Sequence, residues 1–453
     1  MNEVEVETKT DKKNVFFWAM YDLANTIYSM VIVSLIIFRY VMVIAQLEHG
    51  LTYGQASFIF GLVQGLMQAG LAIAVPIIGA FSDQAGKRKP FVITLGGLCC
   101  LFASLIGFFY SLVVVLIFYI LANISYQLSL IFYDAMIPFI ANKKDIGKVS
   151  GFGIAWGYLG TIISLIVLIP LMFMWGDVVS DPTQGKLSYG YTGYCITFVL
   201  PMILFFVLMI PFFFVREKQK GKMAPVRQVI GDSLRQLKAT LKDIKQHKPM
   251  VIYIFAYFLI GNVAQTLVVL MMPLVTDGLI IGTGGQASDI IGVLFILIGT
   301  VSAVIFTTAV GKFGQKHGPK KCFYLVCFFW TISLIIGIYL IFALPYIDIG
   351  LNYPFMLALI MVIIVGPALG GTWAANRIMV TRLSPKEKFG EYFGFTSISG
   401  KASASLGPII FGTILLSADV IGKYAWGLGL CALGIIMILG LLILKFVKVS
   451  EEK

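Results

Sequence analysis

One polar stretch of the chain reads Gly79-Ala-Phe-Ser-Asp83-Gln-Ala-Gly86-Lys87-Arg88-Lys89, and it joins two long apolar segments. A second stretch, 232 residues later, reads Gly311-Lys-Phe-Gly-Gln315-Lys-His-Gly318-Pro-Lys320-Lys321. Both copies have glycine at their first and eighth positions, followed by paired basic residues, and Gln315 replaces Asp83 in the second copy. An offset of about half the chain predicts a duplicated molecule with six long segments in each half.

The segments around these turns have the composition of membrane spans. The 453-residue chain is 59% hydrophobic and 12% charged, with a mean hydropathy of +0.92, whereas a soluble domain has about 25% charged residues. A spanning helix needs about 20 apolar residues. Twelve segments qualify: 15–46, 54–81, 90–111, 113–141, 149–176, 190–215, 249–276, 289–311, 321–345, 354–382, 392–418 and 424–447. The sequence therefore predicts an all-α membrane protein with twelve transmembrane helices in two pseudo-symmetric six-helix bundles.

The basic residues alternate from one side of the membrane to the other. One set of connections holds the basic residues of both turns and ten lysines and arginines between Arg216 and Lys248. The other set has few basic residues beyond Lys186 and Lys423. The positive-inside rule then places both termini and the central loop in the cytoplasm. This distribution also explains the net charge of +12 without a nucleic-acid partner.

These boundaries divide the chain into five parts. They are a cytoplasmic N-terminal tail (1–14), a first bundle (15–215), a cytoplasmic central loop (216–248), a second bundle (249–447) and a cytoplasmic C-terminal tail (448–453). The N-terminal tail is polar and charged, so the first span is expected to stay in the mature protein. Apolar residues of the central loop recur at helical spacing among lysines and arginines. That pattern predicts an amphipathic helix on an anionic membrane surface, or a solvated linker helix between the bundles.

Several classes of function find no support in the sequence. The six cysteines lie in apolar segments and there are only three histidines, so no metal site is expected. The P-loop pattern of ATP-driven pumps is missing, as are hydrolase elbows and zinc motifs. We therefore expect a protein that is not an enzyme, with no catalytic residues and no cofactor. Its expected partners are a small-molecule substrate, a coupling proton and membrane lipid, and the chain is expected to be a monomer.

The first turn resembles the signature loop of the major facilitator superfamily, which lies between spans two and three. This resemblance implies transport by alternating access, with the substrate bound between the halves. Glycines permit tight turns and close helix approach, and an acid at position 83 suits the N-terminus of a facing helix or a nearby base. We therefore assign Gly79, Asp83, Gly86, Lys87 and Arg88 to gating rather than to substrate contact.

Longer stretches resemble the vacuole-effluxer-like branch of this superfamily, which is related to autophagy-related protein 22. They include Phe17-Trp18-Ala19-Met20-Tyr21-Asp22-Leu23-Ala24-Asn25-Thr26, Phe132-Tyr133-Asp134-Ala135-Met136-Ile137-Pro138, Gly151-Phe152-Gly153 with Gly157-Tyr158-Leu159-Gly160, and Glu391-Tyr392-Phe393-Gly394-Phe395 with Gly400-Lys401. The resemblance covers most of the chain. It implies export of amino acids or similar small solutes from a compartment.

Ionisable residues inside the spans are the first candidates for transport chemistry, because a charge in the bilayer is costly. Asp22 lies in span one, Asp134 in span four, Arg377 in span ten and Lys401 in span eleven. A low-dielectric cavity favours the neutral form of a carboxylic acid, which suits a proton carrier. We expect Asp22 or Asp134 to take a coupling proton and Arg377 or Lys401 to hold a substrate carboxylate. The alternative is that Asp134–Arg377 or Asp22–Lys401 are ion pairs that only fix one conformation.

Uncharged polar and aromatic residues on the same spans are the next candidates. Several recur at helical spacing and share a helix face, although amides between packed helices often only hydrogen-bond across the interface. The set is Asn25, Gln64, Gln68, Asn123, Gln127, Asn262, Gln265, Trp373 and Asn376. Trp18 and Trp426 are instead expected to be interfacial anchors.

The leading hypothesis is a secondary active transporter of amino acids or related small organic solutes. It is expected to be a proton-coupled symporter or antiporter in a prokaryotic plasma membrane. The alternative is a carrier of lipids, lysolipids or other amphipathic metabolites on the same fold, which predicts an apolar lateral opening between spans. A sensor or scaffold would need a soluble effector domain, and the central loop is too short for one.

Overall fold

The structure is a computed structural model that describes residues 10–84, 87–141, 145–174, 191–217, 235, 247–279, 286–343, 352–384 and 389–449. Within these ranges all regular secondary structure is helical. The amphipathic helix predicted for the central loop lies outside the described residues, apart from a single position.

The described part of the chain contains twelve long helices, and two of them are composite. Helix α1 (Lys12–His49) contains a π-helical segment, Tyr28–Ile36, and α7 (Lys248–Pro273) continues into a π-helical turn, Leu274–Leu279. The other helices are α2 (Tyr53–Gln84), α3 (Lys89–Ile106), α4 (Leu112–Asp134), α5 (Ile146–Met174), α6 (Tyr191–Met209), α8 (Gln286–His317), α9 (Pro319–Phe342), α10 (Asn352–Leu383), α11 (Phe389–Leu415) and α12 (Tyr424–Lys445). Short helical turns occur at Ile137–Ile140, Ile210–Phe214 and Ala418–Ile421.

The helix lengths suit a bilayer. The shortest, α3, has 18 residues and is about 27 Å long at 1.5 Å per residue, close to the roughly 30 Å of a hydrocarbon core. In the ranges described, eleven helices are long and apolar enough to cross a membrane, and α5 contains the shorter apolar stretch Ala155–Val167. The twelve predicted segments coincide with α1 to α12. The largest differences are at the ends of α4 and α6, where the apolar run continues as a separate turn, and at the polar end of α8.

The helices alternate in direction, which defines two faces of the molecule. Odd-numbered helices begin on the side where α1 begins, called here the termini face. Even-numbered helices begin on the opposite side, called the distal face.

The helices pack as two groups of six. In the first half α1 packs on α5 and α6, α3 packs on α4 and α6, and α2 packs on α4; in the second half α7 packs on α11 and α12, and α10 packs on α8 and α9. The halves meet where α2 lies along α11, where α5 meets α8, and where the π-helical segment of α1 meets α7. A Cβ atom on Gly61 would lie 2.4 Å from the carbonyl oxygen of Pro408. Glycine therefore permits the close approach of α2 and α11.

The tight turn predicted at the second copy of the loop motif is present. Helix α8 ends at His317 and α9 begins at Pro319. Gly318 between them has a φ of 90°, in the region that favours glycine. The glycine at the eighth position of this copy therefore makes the reversal.

The expectation that Trp18 and Trp426 are interfacial anchors is wrong. Their side chains are only 1% and 2% exposed. The ring of Trp18 stacks on Tyr133, with centroids 4.5 Å apart and an interplanar angle of 3°, and Trp426 packs against Phe38 and Phe411. Both tryptophans hold helices together, because in a helix bundle an apolar ring can face a neighbouring helix as readily as lipid.

Candidate functional site

Helix α1 places packing residues and a carboxylate on neighbouring faces. The indole of Trp18 donates to the carbonyl of Tyr133 at 3.4 Å, and the hydroxyl of Tyr21 donates to Ser129 Oγ at 2.6 Å. These buried contacts fix α1 against α4. Asp22 directly follows Tyr21 in α1 and is half-buried. Its side chain lies at the contact between α1 and α5.

Glycines of α5 make room for the Asp22 side chain. A Cβ atom on Gly153 would lie 3.1 Å from Asp22 Oδ2, and one on Gly157 would lie 3.6 Å from Oδ1. A Cβ atom on Gly160 would lie only 2.1 Å from the backbone carbonyl oxygen of Leu23. These glycines share one helix face. The glycine motif in the sequence thus lets α5 approach α1 and leaves space for the carboxylate. Asn25 donates to this carboxylate at 3.4 Å.

Charged residues of the two halves lie within electrostatic range of one another. Asp22 and Asp134 belong to the first half, and Arg377 of the second half is close enough for its charge to act on both carboxylates. The side chains of Asp134 and Arg377 are exposed. Within the described ranges neither carboxylate forms a salt bridge. The ion pairs considered as an alternative from the sequence are therefore not formed in this conformation.

One hydrogen bond joins the halves close to these charges. Lys401 Nζ, on α11, donates to Gln127 Oε1, on α4. Asp134 lies two turns further along α4, within range of the lysine charge. Lys401 is thus hydrogen-bonded to the neutral amide of Gln127, although the carboxylate of Asp134 is nearby.

The polar residues between α2 and α4 form a buried chain. The hydroxyl of Tyr119 donates to Gln64 Oε1 at 2.7 Å and accepts from Asn123 Nδ2 at 3.5 Å. In the described part of the chain, Gln68 Oε1 and Asn123 Oδ1 are buried and have no hydrogen-bond partner. An unmade hydrogen bond of this kind costs about 1–3 kcal/mol, and native proteins rarely leave one. Because both oxygens are buried, a donor from outside reaches them only if the surrounding helices move.

The polar residues of the second half divide into two kinds. Asn262 Nδ2 donates to a backbone carbonyl of α11 at 3.1 Å, and Asn376 Oδ1 accepts from the hydroxyl of Tyr253. These two amides join α7 to α11 and to α10. By contrast, Gln265 is half-buried and Trp373 is 37% exposed, so both present accessible surface.

Arg88, one of the two basic residues assigned to gating, is paired with Glu217, which directly follows the first bundle. Its guanidinium group lies 3.7 Å from Glu217 and 4.4 Å from the ring centroid of Phe139. The carboxylate of Glu217 also accepts from the backbone N–H groups of Arg88, at 2.8 Å, and of Lys89, at 3.0 Å. The side chains of Arg88 and Glu217 are 3% and 2% exposed. Glu217 was not singled out in the sequence, and the only signal was an acid directly after a span.

The remaining residues assigned to gating are only partly described. Gly79 is open, since a Cβ atom there would meet nothing within 4 Å, and Lys87 is exposed. The side chain of Asp83 and all of Gly86 lie outside what the structure describes.

Two tyrosines add to the charged interface. Tyr158 of α5 and Tyr257 of α7 lie within range of the Arg377 charge. Tyr158 stands in the glycine motif, next to Gly157, which gave a signal in the sequence. Tyr257 had no signal that distinguished it from the other aromatic residues of the spans.

Comparison with known proteins identifies the family of this chain. The family profile described as "Vacuole effluxer Atg22 like" matches residues 48–453. The chain belongs to the vacuole effluxer Atg22-like family. A relative of this Atg22-like protein is the "Uncharacterized MFS-type transporter YxiO" of Bacillus subtilis. The two are 26% identical over 436 residues, which cover 95% of this chain and 94% of the relative.

Solved structures show the fold of the Atg22-like protein. The D-xylose-proton symporter superposes with a TM-score of 0.69 at 14% identity, covering 97% of this chain and 99% of the symporter. A mutant of the nucleoside transporter NupG superposes with a TM-score of 0.68 at 13% identity, covering 96% of this chain and 100% of NupG. The Atg22-like protein therefore has the major facilitator fold. It is an integral, multi-pass membrane protein and an MFS-type transporter.

Proposed function

We propose that this Atg22-like protein is a proton-coupled secondary transporter of amino acids or closely related small organic solutes. The observation that carries the proposal is the set of opposed charges between the halves. Asp22 and Asp134 stand on the first half, and Arg377 and Lys401 stand on the second. Charges are costly in a membrane protein unless they have partners, and in the described structure these carboxylates lack a salt bridge. A substrate with a carboxylate and an amine would supply the missing partners.

The bases suit different parts of that role. Arg377 is exposed, and its planar guanidinium group can bind a carboxylate through two hydrogen bonds. Lys401 is held by Gln127, so it must exchange a neutral amide for any charged partner. We assign Arg377 to the substrate carboxylate and Lys401 to a contact that changes as the halves move.

The carboxylates and amides complete the site. Asp22 has room against the glycine face of α5, and either Asp22 or Asp134 can carry the coupling proton. The unpartnered oxygens of Gln68 and Asn123 accept hydrogen bonds from a substrate amine or from water. Asn25, which donates to Asp22, is a further polar residue of the proposed site.

Alternating access follows from the interface between the halves. We propose that the bundles 15–215 and 249–447 move against each other around this site, with Asp83 and the adjacent basic residues acting at the termini face. The exposed side chains of Asp134 and Arg377 lie near the termini-face ends of α4 and α10. The distribution of basic residues supports a cytoplasmic termini face. We place the protein in a prokaryotic plasma membrane.

The test is uptake of a radiolabelled amino-acid panel into proteoliposomes, with and without an imposed pH gradient. We expect gradient-sensitive uptake of one class, its loss in Asp22→Asn or Asp134→Asn, and a KM about 10- to 100-fold higher in Arg377→Gln. The last figure corresponds to the loss of a charged hydrogen bond of about 1.5–3 kcal/mol.

A matched control lies at the start of the helix that carries Asp22. Asp11 caps α1 by accepting from Lys13 N–H at 2.9 Å, and asparagine caps equally well, so Asp11→Asn should transport normally. If folded protein moves no member of the panel, the amino-acid assignment is wrong. Lysolipid movement under those conditions would support the amphipathic-cargo alternative.

A further inference from the structure

The distal face carries contacts between the halves that the transport site does not use. The hydroxyl of Tyr53 donates to Asp277 Oδ2 at 2.7 Å. The hydroxyl of Thr52 donates to the carboxylate of Asp419, and the backbone N–H of Gly54 donates to Asp419 Oδ1 at 3.1 Å. Thr52, Tyr53 and Gly54 form the start of α2 in the first half. Both aspartates belong to the second half.

The start of α2 already has a cap of its own. Thr52 N–H donates to Gln55 Oε1 at 3.0 Å, and Gln55 N–H donates to Thr52 Oγ1 at 3.3 Å. This reciprocal pair is a capping box, and it leaves other N–H groups of the first turn without an intrahelical acceptor. Asp419 accepts one of them, from Gly54, and places a negative charge at the positive end of the helix. The opposite half therefore supplies an additional cap to α2.

Residue 54 must be glycine for this contact to form. A Cβ atom there would lie 2.7 Å from Asp419 Oδ2, 2.8 Å from the carbonyl oxygen of Leu415 and 2.9 Å from that of Leu416. Two of these atoms belong to the backbone and cannot rotate away. Gly54 thus permits the close approach of the end of α11 to the start of α2.

Other carboxylate caps in the described structure do not join the two halves. Glu48 accepts from the N–H of Leu112 at the start of α4, and Glu217 caps the start of α3. Their contacts are retained when the halves move as units. The Asp419 cap and the Tyr53–Asp277 bond cross between halves, so they break when the distal face opens.

We propose that Asp419 and Asp277, acting on Thr52, Tyr53 and Gly54, form a distal lock that stabilises the transporter with its distal face closed. The lock rests on the proposed alternating access, because it acts only if the halves separate at this face. The lock stabilises the conformation with a closed distal face and not the one with an open distal face. It therefore affects the ratio of the two populations. Removing it shifts the population towards a state open at the distal face.

The experiment measures the distance across the distal face by spin labelling. Labels are placed at Leu47→Cys and Val420→Cys, which are 44% and 87% exposed in the two halves, after replacement of the six native cysteines. Full-length protein in lipid nanodiscs is examined by pulsed electron paramagnetic resonance. We expect Asp419→Ala to raise the ratio of long to short distances about tenfold, the factor that corresponds to loss of a helix cap. Asp277→Ala should act in the same direction.

Two control pairs separate the lock from general disorder. Glu48→Ala removes a cap at the same face within one half and should leave the distances unchanged. Gly54→Ala should open the face as Asp419→Ala does, whereas Gly70→Ala, on the same helix with nothing within 4 Å of its Cβ position, should not.

Two outcomes would overturn the lock. One is a wild-type distance distribution in both Asp419→Ala and Gly54→Ala; the other is an equal change in Glu48→Ala. If Asp419→Ala does not fold, Gly54→Ala against Gly70→Ala decides. No substrate is present in this measurement, so a failure of the lock is distinguishable from a failure of the amino-acid assignment.

Discussion

The buried pair of Arg88 and Glu217 gives a prediction whose magnitude follows from the structure. Both side chains are at most 3% exposed, and the carboxylate also accepts from the backbone N–H groups of Arg88 and Lys89. We consider Glu217→Met, which keeps much of the volume and removes every one of these acceptors.

The expected loss of unfolding free energy has two parts. Removing one partner of a buried ion pair costs about 3–5 kcal/mol. Arg88 has a further interaction besides Glu217, so its charge keeps part of its compensation, and we expect the lower end, about 3 kcal/mol. Loss of the helix cap is worth about 1 kcal/mol. In Arg88→Met/Glu217→Met both charges of the pair are removed, and we expect a smaller loss, of about 1 kcal/mol.

The assay is unfolding in mixed detergent–SDS micelles, followed by tryptophan fluorescence, for wild type, both single variants and the double variant. The double-mutant cycle isolates the coupling between the two side chains. A double variant that is as unstable as Glu217→Met would show that the charge of Arg88 is not the cause of the instability. A loss below about 1 kcal/mol in Glu217→Met would show that the pair does not hold α3 to the end of α6.

Two further predictions concern helix α1. Gly160→Ala should destabilise the fold by about 1–3 kcal/mol through overpacking, because its Cβ would lie 2.1 Å from the Leu23 carbonyl oxygen. Gly97→Ala, where the Cβ position is open, is the control in the same unfolding assay, and equal stability of the two variants would contradict the packing. Trp18→Ala should cost about 3 kcal/mol, the low end for a buried tryptophan, since it removes the stack on Tyr133. Near-native stability measured by SDS titration would instead indicate an interfacial role.

Much of the fold was predictable because the bilayer restricts what a chain can do. Backbone polar groups inside a membrane must be satisfied internally, so a long apolar segment has to be a helix. The repeated turn at Gly79 and Gly311 added the two-fold organisation. Where a segment ends was less predictable: after Asp134 the apolar run continues as a separate turn and the short helix Ile137–Ile140.

The charged candidates for the site could be named from the sequence, but their contacts could not. Asp22, Asp134, Arg377 and Lys401 stood out because charges are rare in spans. The structure pairs Lys401 with Gln127 rather than with a carboxylate. Such a choice depends on the rotation and depth of two helices far apart in sequence.

The sequence by itself determined that this is a membrane protein with twelve apolar segments in two similar halves, because segment length and repeated turns are local properties. Its resemblance to a known superfamily added the expectation of transport. Only the tertiary structure decided which side of each helix meets another helix. Trp18 became a packing residue, Asn262 a link between helices, and Asp419 a cap for a helix of the opposite half. In a bilayer, lipid and protein are similarly apolar surroundings, so hydrophobicity could not indicate these choices. Close packing at glycines and the pairing of polar groups decided which face of each helix meets another helix.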